Sequence, residues 1–253
     1  MLVLLPPSET KREGGTGLPL DLHALSFPQL TPVRSALVPA TVALADDPGS
    51  ALRALKLGPR QAAEVERNRV LQTSATTPAL DRYSGVLYDA LGAATLDEAA
   101  RRFAHEHVAV HSALFGLVAA LDQVPAYRLS HDSRLPGLRL RQLWRAPIGD
   151  LLESRAGLIV DLRSEGYVDL GPAPARGHSV FVRVVSADAA GRRRALNHFN
   201  KRAKGLFTRA LLEARPELGT PDDLMAWARS VGFTLDLGAR RDGGAPHELE
   251  LVA

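Results

Sequence analysis

The sequence contains no cysteine. Disulfides, thiol catalysis, Fe–S clusters and cysteine-type zinc sites are therefore excluded, and the composition fits a reducing cytoplasm. Lysine is scarce: only Lys11, Lys56, Lys201 and Lys204 stand among 31 basic residues, and arginine supplies the rest. A GC-rich genome explains such a bias, and so does phosphate recognition by bidentate guanidinium groups. The net charge of +3 does not separate the two. No apolar run reaches the roughly 20 residues of a membrane span. The longest, 108–121, is interrupted by His111 and Gly116. Met1–Leu5 is apolar, but Pro6 and Pro7 stop it and no basic residues precede it, unlike a secretory leader. A cytoplasmic protein without a membrane partner is expected. Gly-x-Ser-x-Gly, His-Glu-x-x-His, the Walker spacing and an EF-hand loop are all missing. No cofactor or resident metal is expected, and the eight histidines are scattered. His105 and His107 flank Glu106, but His-x-His alone is weak evidence for a metal.

What remains is an ordinary globular composition, 45% hydrophobic and 23% charged over 253 residues. That length suits one domain with a large core. There is no internal repeat and no low-complexity segment. Leu2–Leu5 reads as a buried strand ended by proline, followed by a polar loop over 6–17. Two short helices are expected over 48–72, around Leu57-Gly58-Pro59, with Gly58 ending the first and Pro59 opening the second. Leu80–Leu91 holds aromatics and glycine. A helix is expected from Thr95, as its cap, to about Glu106, with Asp97 and Glu98 in its first turn. Val108–His111 reads as a strand. Arg139–Leu152 reads as a helix interrupted near Pro147. Leu158–Leu162 and Val180–Val185 read as buried strands, and Arg193–Ala214 as the longest helix. Pro221–Val231 reads as a helix capped by Thr220. Phe233–Leu237 and Glu248–Val252 read as antiparallel edge strands joined by a hairpin loop over 238–246. The expected class is α/β, mixed α+β, in a single compact domain with a central mixed sheet.

Three features carry chemistry. Arg192, Arg193, Arg194, Lys201, Arg202, Lys204 and Arg209 form a basic run with no acidic residue between Asp188 and Glu213. Such a run suits a polyanion, unless carboxylates from elsewhere in the fold neutralise it. Asn197, His198 and Asn200 add donors beside it, and Phe199 and Phe207 read as core. The second feature is the turn Lys56-Leu57-Gly58-Pro59-Arg60. Two helices around a Leu-Gly turn resemble a helix-hairpin-helix, which grips a DNA phosphate through backbone N–H groups without reading sequence. A plain structural turn has the same signature. The third is Pro6–Lys11, polar residues directly after a strand, where sites often form. Asp161 and Glu165, flanking Ser164, are a general acid and base, or else caps and surface charges. His111, Ser112 and Asp122 form no triad on sequence grounds.

Several of these pieces occur in order in one family. The chain resembles the YaaA family of bacterial peroxide-stress proteins. The matching stretches are Leu4-Leu5-Pro6-Pro7-Ser8-Glu9-Thr10, Tyr83-Ser84-Gly85, and His111-Ser112-Ala113-Leu114-Phe115-Gly116-Leu117. They continue with Pro125-Ala126-Tyr127-Arg128-Leu129, Leu143-Trp144, and Asp161-Leu162-Arg163-Ser164-Glu165-Gly166-Tyr167. The last is Asn200-Lys201-Arg202-Ala203-Lys204-Gly205-Leu206. The resemblance covers nearly the full length. It implies one domain over 1–253, with a basic cleft and a helix-hairpin-helix-like element at about 48–72. It also implies DNA binding, and a role in limiting oxidative damage that is associated with low intracellular iron. Three departures stand out: Glu9 where many members carry Lys, Ala113 in place of a usual Gly, and Gly166 where a larger residue is usual.

Without cysteine, and with only Met1 and Met225, the chain cannot consume peroxide as a peroxiredoxin does. Protection has to be indirect. The leading expectation is a monomer that binds duplex or distorted duplex DNA by backbone and shape. Lys201, Arg202, Lys204 and Arg209 would contact phosphates, and Lys56, Gly58 and Arg60 a second backbone position. The rival is an enzyme acting on a nucleic acid or phosphorylated small molecule. Its cleft would be lined by Ser8, Glu9, Lys11, Tyr83, Arg128, Ser164, Glu165, Tyr167 and Lys201. Geometry discriminates: convergence in one deep pocket with shifted pKa values favours the enzyme, dispersal over a broad surface favours binding. Direct iron binding is the least supported reading, because no ligand spacing is present.

Overall fold

Leu2–Leu5 (β1) is a run of four buried apolar residues, as a strand covered on both faces requires. It pairs in parallel with two strands distant in sequence, so it lies in the middle of a sheet. The structure, a computed structural model, describes residues 1–187, 193–195, 200–238 and 247–252. After β1 come helices Thr31–Leu44 (α1), Pro48–Ala54 (α2) and Ala63–Arg69 (α3), then the short strand Thr77–Pro78 (β2). Ala79–Arg82 (α4), Val86–Leu91 (α5) and Glu98–His107 (α6) follow. Next are strands Val108–Ser112 (β3), Gly116–Ala119 (β4) and Gln123–Val124 (β5), and helix Leu140–Ser154 (α7). Ile159–Asp161 (β6), Glu165–Val168 (α8), Ser179–Ala187 (β7) and Arg193–Ala195 (β8) lead to helix Asn200–Ala214 (α9). Pro221–Ser230 (α10), Thr234–Leu237 (β9) and His247–Val252 (β10) complete the chain.

The main sheet runs β4-β3-β1-β6-β7-β10-β9, with β8 paired to β7. β3, β1, β6, β7 and β10 are parallel, and β4 and β9 are antiparallel to their neighbours. From β1 the chain moves outward to β3, then crosses back to the other side of β1 at β6. The direction of winding therefore reverses between β1 and β6, which opens a crevice beyond the carboxyl ends of those strands. Apolar side chains from sheet and helices form one continuous core. Among the described residues no helix is long and apolar enough to cross a membrane.

Several boundaries differ from expectation for local reasons. The helix expected over Arg193–Ala214 begins at Asn200, because Arg193–Ala195 pairs antiparallel with Val185–Ala187 as a strand. Arg192, Asn197 and His198 lie outside the described residues, as does 239–246 of the expected hairpin loop. Thr95 ends a turn of 3-10 helix, and Asp97 is the true cap of α6, accepting from the Ala100 amide at 2.7 Å. The first hairpin helix ends before Lys56, which takes the left-handed conformation, and Gly58 is extended. α7 is not interrupted: it passes through Pro147, held by Trp144, Ile148, Leu151 and Leu152 buried along one face. β10 lies inside the sheet, parallel to β7, and of this pair β9 alone is at an edge. Thr220 caps α10 as expected.

The tightest helix contact joins α5 to α9. A Cβ built on Gly205 would lie 2.2 Å from the Leu87 carbonyl oxygen and 2.9 Å from the Ala90 side chain. Gly205→Ala gains about 1 kcal/mol of helix propensity. Backbone cannot yield like a flexible side chain, so the substitution is expected to lower stability on balance, by about 1–3 kcal/mol. Urea unfolding of the two proteins measures the difference.

Candidate functional site

The crevice at the winding reversal is occupied by two segments, 6–11 after β1 and 162–165 after β6. Pro6–Lys11 is a tight arch strapped down from three sides. The Tyr88 hydroxyl donates to the Pro6 carbonyl at 2.8 Å, and the Ser84 amide to the Thr10 carbonyl at 3.2 Å. Arg128 donates to the Glu9 carbonyl at 3.3 Å and pairs with the Glu9 carboxylate at 3.2 Å. Lys11 turns back beneath the arch. Its Nζ donates to the carbonyls of Ser8 at 2.9 Å and Glu9 at 3.4 Å, and lies 4.2 Å from the centre of the Tyr127 ring. Lys11 is 3% exposed, and burial pushes its ammonium down to about 7. Behind it the Tyr83, Tyr127 and Ser112 hydroxyls form a chain at 2.8 and 2.7 Å. Burial pushes the Tyr83 phenol up to about 12, so this chain is protonated at neutral pH.

The opposite wall is set by Arg163. Fully buried, it makes two hydrogen bonds to Asp161, at 2.8 and 2.6 Å, and also donates to the Gly171 carbonyl and to His111 Nδ1, each at 2.8 Å. Burial and this guanidinium hold His111 well below its ordinary pKa, so it is neutral and accepts through Nδ1. Lys204, from α9, donates through Nζ to the Leu162 carbonyl at 2.9 Å and the Arg163 carbonyl at 3.4 Å. It too is pushed down by burial, to about 8.

Between these walls lies a cleft of about 400 Å³, within the size range of small-ligand sites. Glu9, His131, Ser164, Glu165, Tyr167, Lys201 and Lys204 line it. A second hollow of about 220 Å³ adjoins it, sharing Glu9 and Lys201 and adding Ser8, Ser84 and Gly85. Arg183 closes one side, paired with Glu165 at 3.1 Å and Glu248 at 2.8 Å.

The expected site residues thus divide. Ser8, Glu9, Ser164, Glu165, Tyr167 and Lys201 meet around the two hollows. Lys11, Tyr83 and Arg128 stand behind the arch and hold its shape. Lys204 is not on an exposed basic face but on the cleft floor. Arg209 is directed elsewhere: it donates to the carbonyls of Leu91 and Gly92 and to Thr95, and pairs with Glu213. Arg202 is exposed on α9 outside the cleft lining. Lys56 pairs with Asp132 at 2.6 Å, and Gly58 and Arg60 are exposed beside it. Asp161 is consumed by Arg163, so it is no free acid or base. His107 lies against the Met1 carbonyl, and Asp122 binds Ser26 and the Ala119 amide. His131 and Arg183 have no sequence signal of their own, while Arg163 lies inside the Asp161–Tyr167 stretch without being singled out there. Gly166 would have offered one: a Cβ there would meet the His131 ring at 2.5 Å, so the small residue makes room for that histidine.

Burial of Lys11 sets a pH dependence. Its pKa falls on folding, so above about pH 7 the unfolded chain binds the extra proton and stability rises with pH toward the unfolded value. The denaturation midpoint is expected to climb from pH 7 to 9. Lys11→Met should flatten much of that climb, leaving the smaller part due to Lys204. An equal slope in both proteins counts against a neutral-leaning Lys11.

A family model described as "Peroxide stress protein YaaA" matches residues 1–237. A UPF0246 protein of Corynebacterium glutamicum is 43% identical over 241 residues, covering 93% of this chain and 95% of the relative. One from Corynebacterium efficiens is 43% identical, covering 95% and 97%. One from Streptomyces coelicolor is 40% identical, covering 100% and 98%. With its reversal-point cleft in place and the match running from β1 into β9, the chain belongs to the YaaA family of peroxide stress proteins.

Proposed function

We propose that this peroxide stress protein works on DNA, gripping the duplex backbone with the 56–60 turn and leading it to the cleft. Its protection is indirect and associated with lower intracellular iron, as the family resemblance implies. One observation carries the reading: the hairpin turn and the cleft share a wall. Lys56 pairs with Asp132, and the Arg134 amide donates to the Ala54 carbonyl at 2.9 Å. His131, next to Asp132, lines the cleft. The exposed cations of the turn and Lys201 at the cleft mouth thus border one surface, on which a sugar-phosphate backbone has cations at two positions. Backbone-and-shape recognition needs no base-reading side chains, and its ligand is duplex or distorted duplex DNA.

A second reading is favoured by a different observation. Ser8, Glu9, Ser164, Glu165, Tyr167 and Lys201, spread over nearly two hundred positions, meet around two adjoining hollows, with Lys204 in the lining and Lys11 behind the arch, both with lowered pKa values. That is the pattern of a reactive site on a nucleic acid or phosphorylated substrate.

Fluorescence anisotropy with duplex, bulged duplex and single strand across a salt series tests the proposal. Binding should weaken steeply with salt, by about 0.9 in the log–log slope for each phosphate neutralised. Lys201→Ala and Arg60→Ala should each reduce the slope by about that amount. Arg209→Ala should leave the slope unchanged and lower the melting temperature instead. Unchanged affinity and slope in both the Lys201 and Arg60 variants would overturn the DNA reading.

A further inference from the structure

The scarcest basic residue supplies the group best placed for covalent chemistry. Lys204 is 7% exposed and lines the cleft. The amine has two acceptors, the carbonyls of Leu162 and Arg163, and makes no ion pair among the described residues. A neutral amine has two N–H groups. Donating both to those carbonyls leaves its lone pair in the remaining direction. The ring of Phe181 covers one flank, with Nζ 5.7 Å from its centre. Lys56, by contrast, is tied to a carboxylate, and Lys201 is solvated on the helix surface.

From this placement we infer that Lys204 is a Schiff-base nucleophile for the ring-opened aldehyde of an abasic deoxyribose in DNA. The inference rests on the DNA reading and names the lesion that the cleft takes. An abasic nucleotide has no base to unpair or unstack, so it is the cheapest to turn out of a duplex. The bare sugar suits a cleft of about 400 Å³, and Lys201 stands at the mouth for an adjoining phosphate. Burial, which pushes the ammonium down to about 8, leaves part of the amine unprotonated at neutral pH, as this chemistry needs.

The step balances without a redox partner. The amine nitrogen attacks C1′ and forms a carbinolamine. Loss of water then gives a protonated imine. A carboxylate at the cleft, Glu9 or Glu165, takes a proton from C2′. The C3′–O bond breaks, and the 3′-phosphate leaves with the electron pair. Water hydrolyses the remaining imine and releases the amine.

Sodium borohydride reduces such an imine to a stable secondary amine and provides the test. The full chain is incubated with borohydride and a duplex carrying a natural abasic site, or a duplex carrying its tetrahydrofuran analogue, which has no aldehyde. The expected result is a covalent adduct with the natural site alone, mapped to Lys204 by peptide mass spectrometry, with a yield that rises between pH 6 and 8. Lys204→Arg keeps the cation and should lose the adduct, whereas Arg102→Lys, on α6 and paired with Glu98 away from the cleft, should keep it. An adduct mapped to Lys201, Lys11 or the α-amino group, or a yield flat with pH, overturns the assignment. The mapping and the pH profile use the native protein, so they decide even if Lys204→Arg fails to fold. Binding of both duplexes without an adduct overturns the chemistry and leaves the DNA reading standing. Binding of neither at low salt removes both.

Discussion

The ion pair of Arg163 with Asp161 is the interaction on which the site is built. Neither side chain reaches solvent. Such a pair does not contribute much net stability, since both ions lose their hydration, but removing one partner strands the other and costs about 3–5 kcal/mol. Specific geometry is what it supplies here. The one guanidinium ties the end of β6 to its own carboxylate, to His111 on β3 and to the Gly171 turn. With the guanidinium so fixed, the carbonyls of residues 162 and 163 are held where Lys204 can use them. The carboxyl ends of β6 and β3, which flank β1 in the sheet, are thereby tied together beside one opening.

The same logic runs through the arch on the other side. Lys11 is buried under the loop whose carbonyls it bonds, so loop shape and lysine burial sustain each other. Arg128 holds the loop from outside and neutralises Glu9 in the same contact. Here a carboxylate stands at the cleft beside Lys201, so the cleft presents both signs. That mixture suits a site that moves protons better than one that only attracts phosphate. His131 and Gly166 form a second local exchange, in which a small residue on α8 lets a histidine ring into the lining.

A run of like charges in sequence proves to be several unlike things in space. Lys201 is solvated at the cleft mouth, Lys204 is desolvated at its floor, and Arg209 is spent on the end of α5 and on Glu213. Helical rotation separates 201 from 204 by less than one turn, yet the sheet covers only the second. Burial, rather than spacing, divides an electrostatic contact from a candidate nucleophile.

Local pattern alone determined much of this protein. Four apolar residues ended by Pro6 meant a covered strand, and Thr220 before Pro221 meant a capped helix, because such signals act within one turn of chain. The absence of cysteine ruled out thiol chemistry at once. The order of the seven stretches identified the family. Boundaries governed by partners were not legible in the same way. Arg193–Ala195 pairs with β7 instead of extending α9, and Pro147 is carried inside a helix by side chains buried beneath it. The site was half legible: the polar residues after β1 and β6 pointed to it, while the state of each charge did not. Lys204 meets the Leu162 carbonyl across 42 positions, and His131, in the loop before α7, meets Gly166 on α8. Only the tertiary structure decides such matters, because desolvation and hydrogen-bond partners depend on what the rest of the chain packs against a residue, and not on its neighbours in sequence.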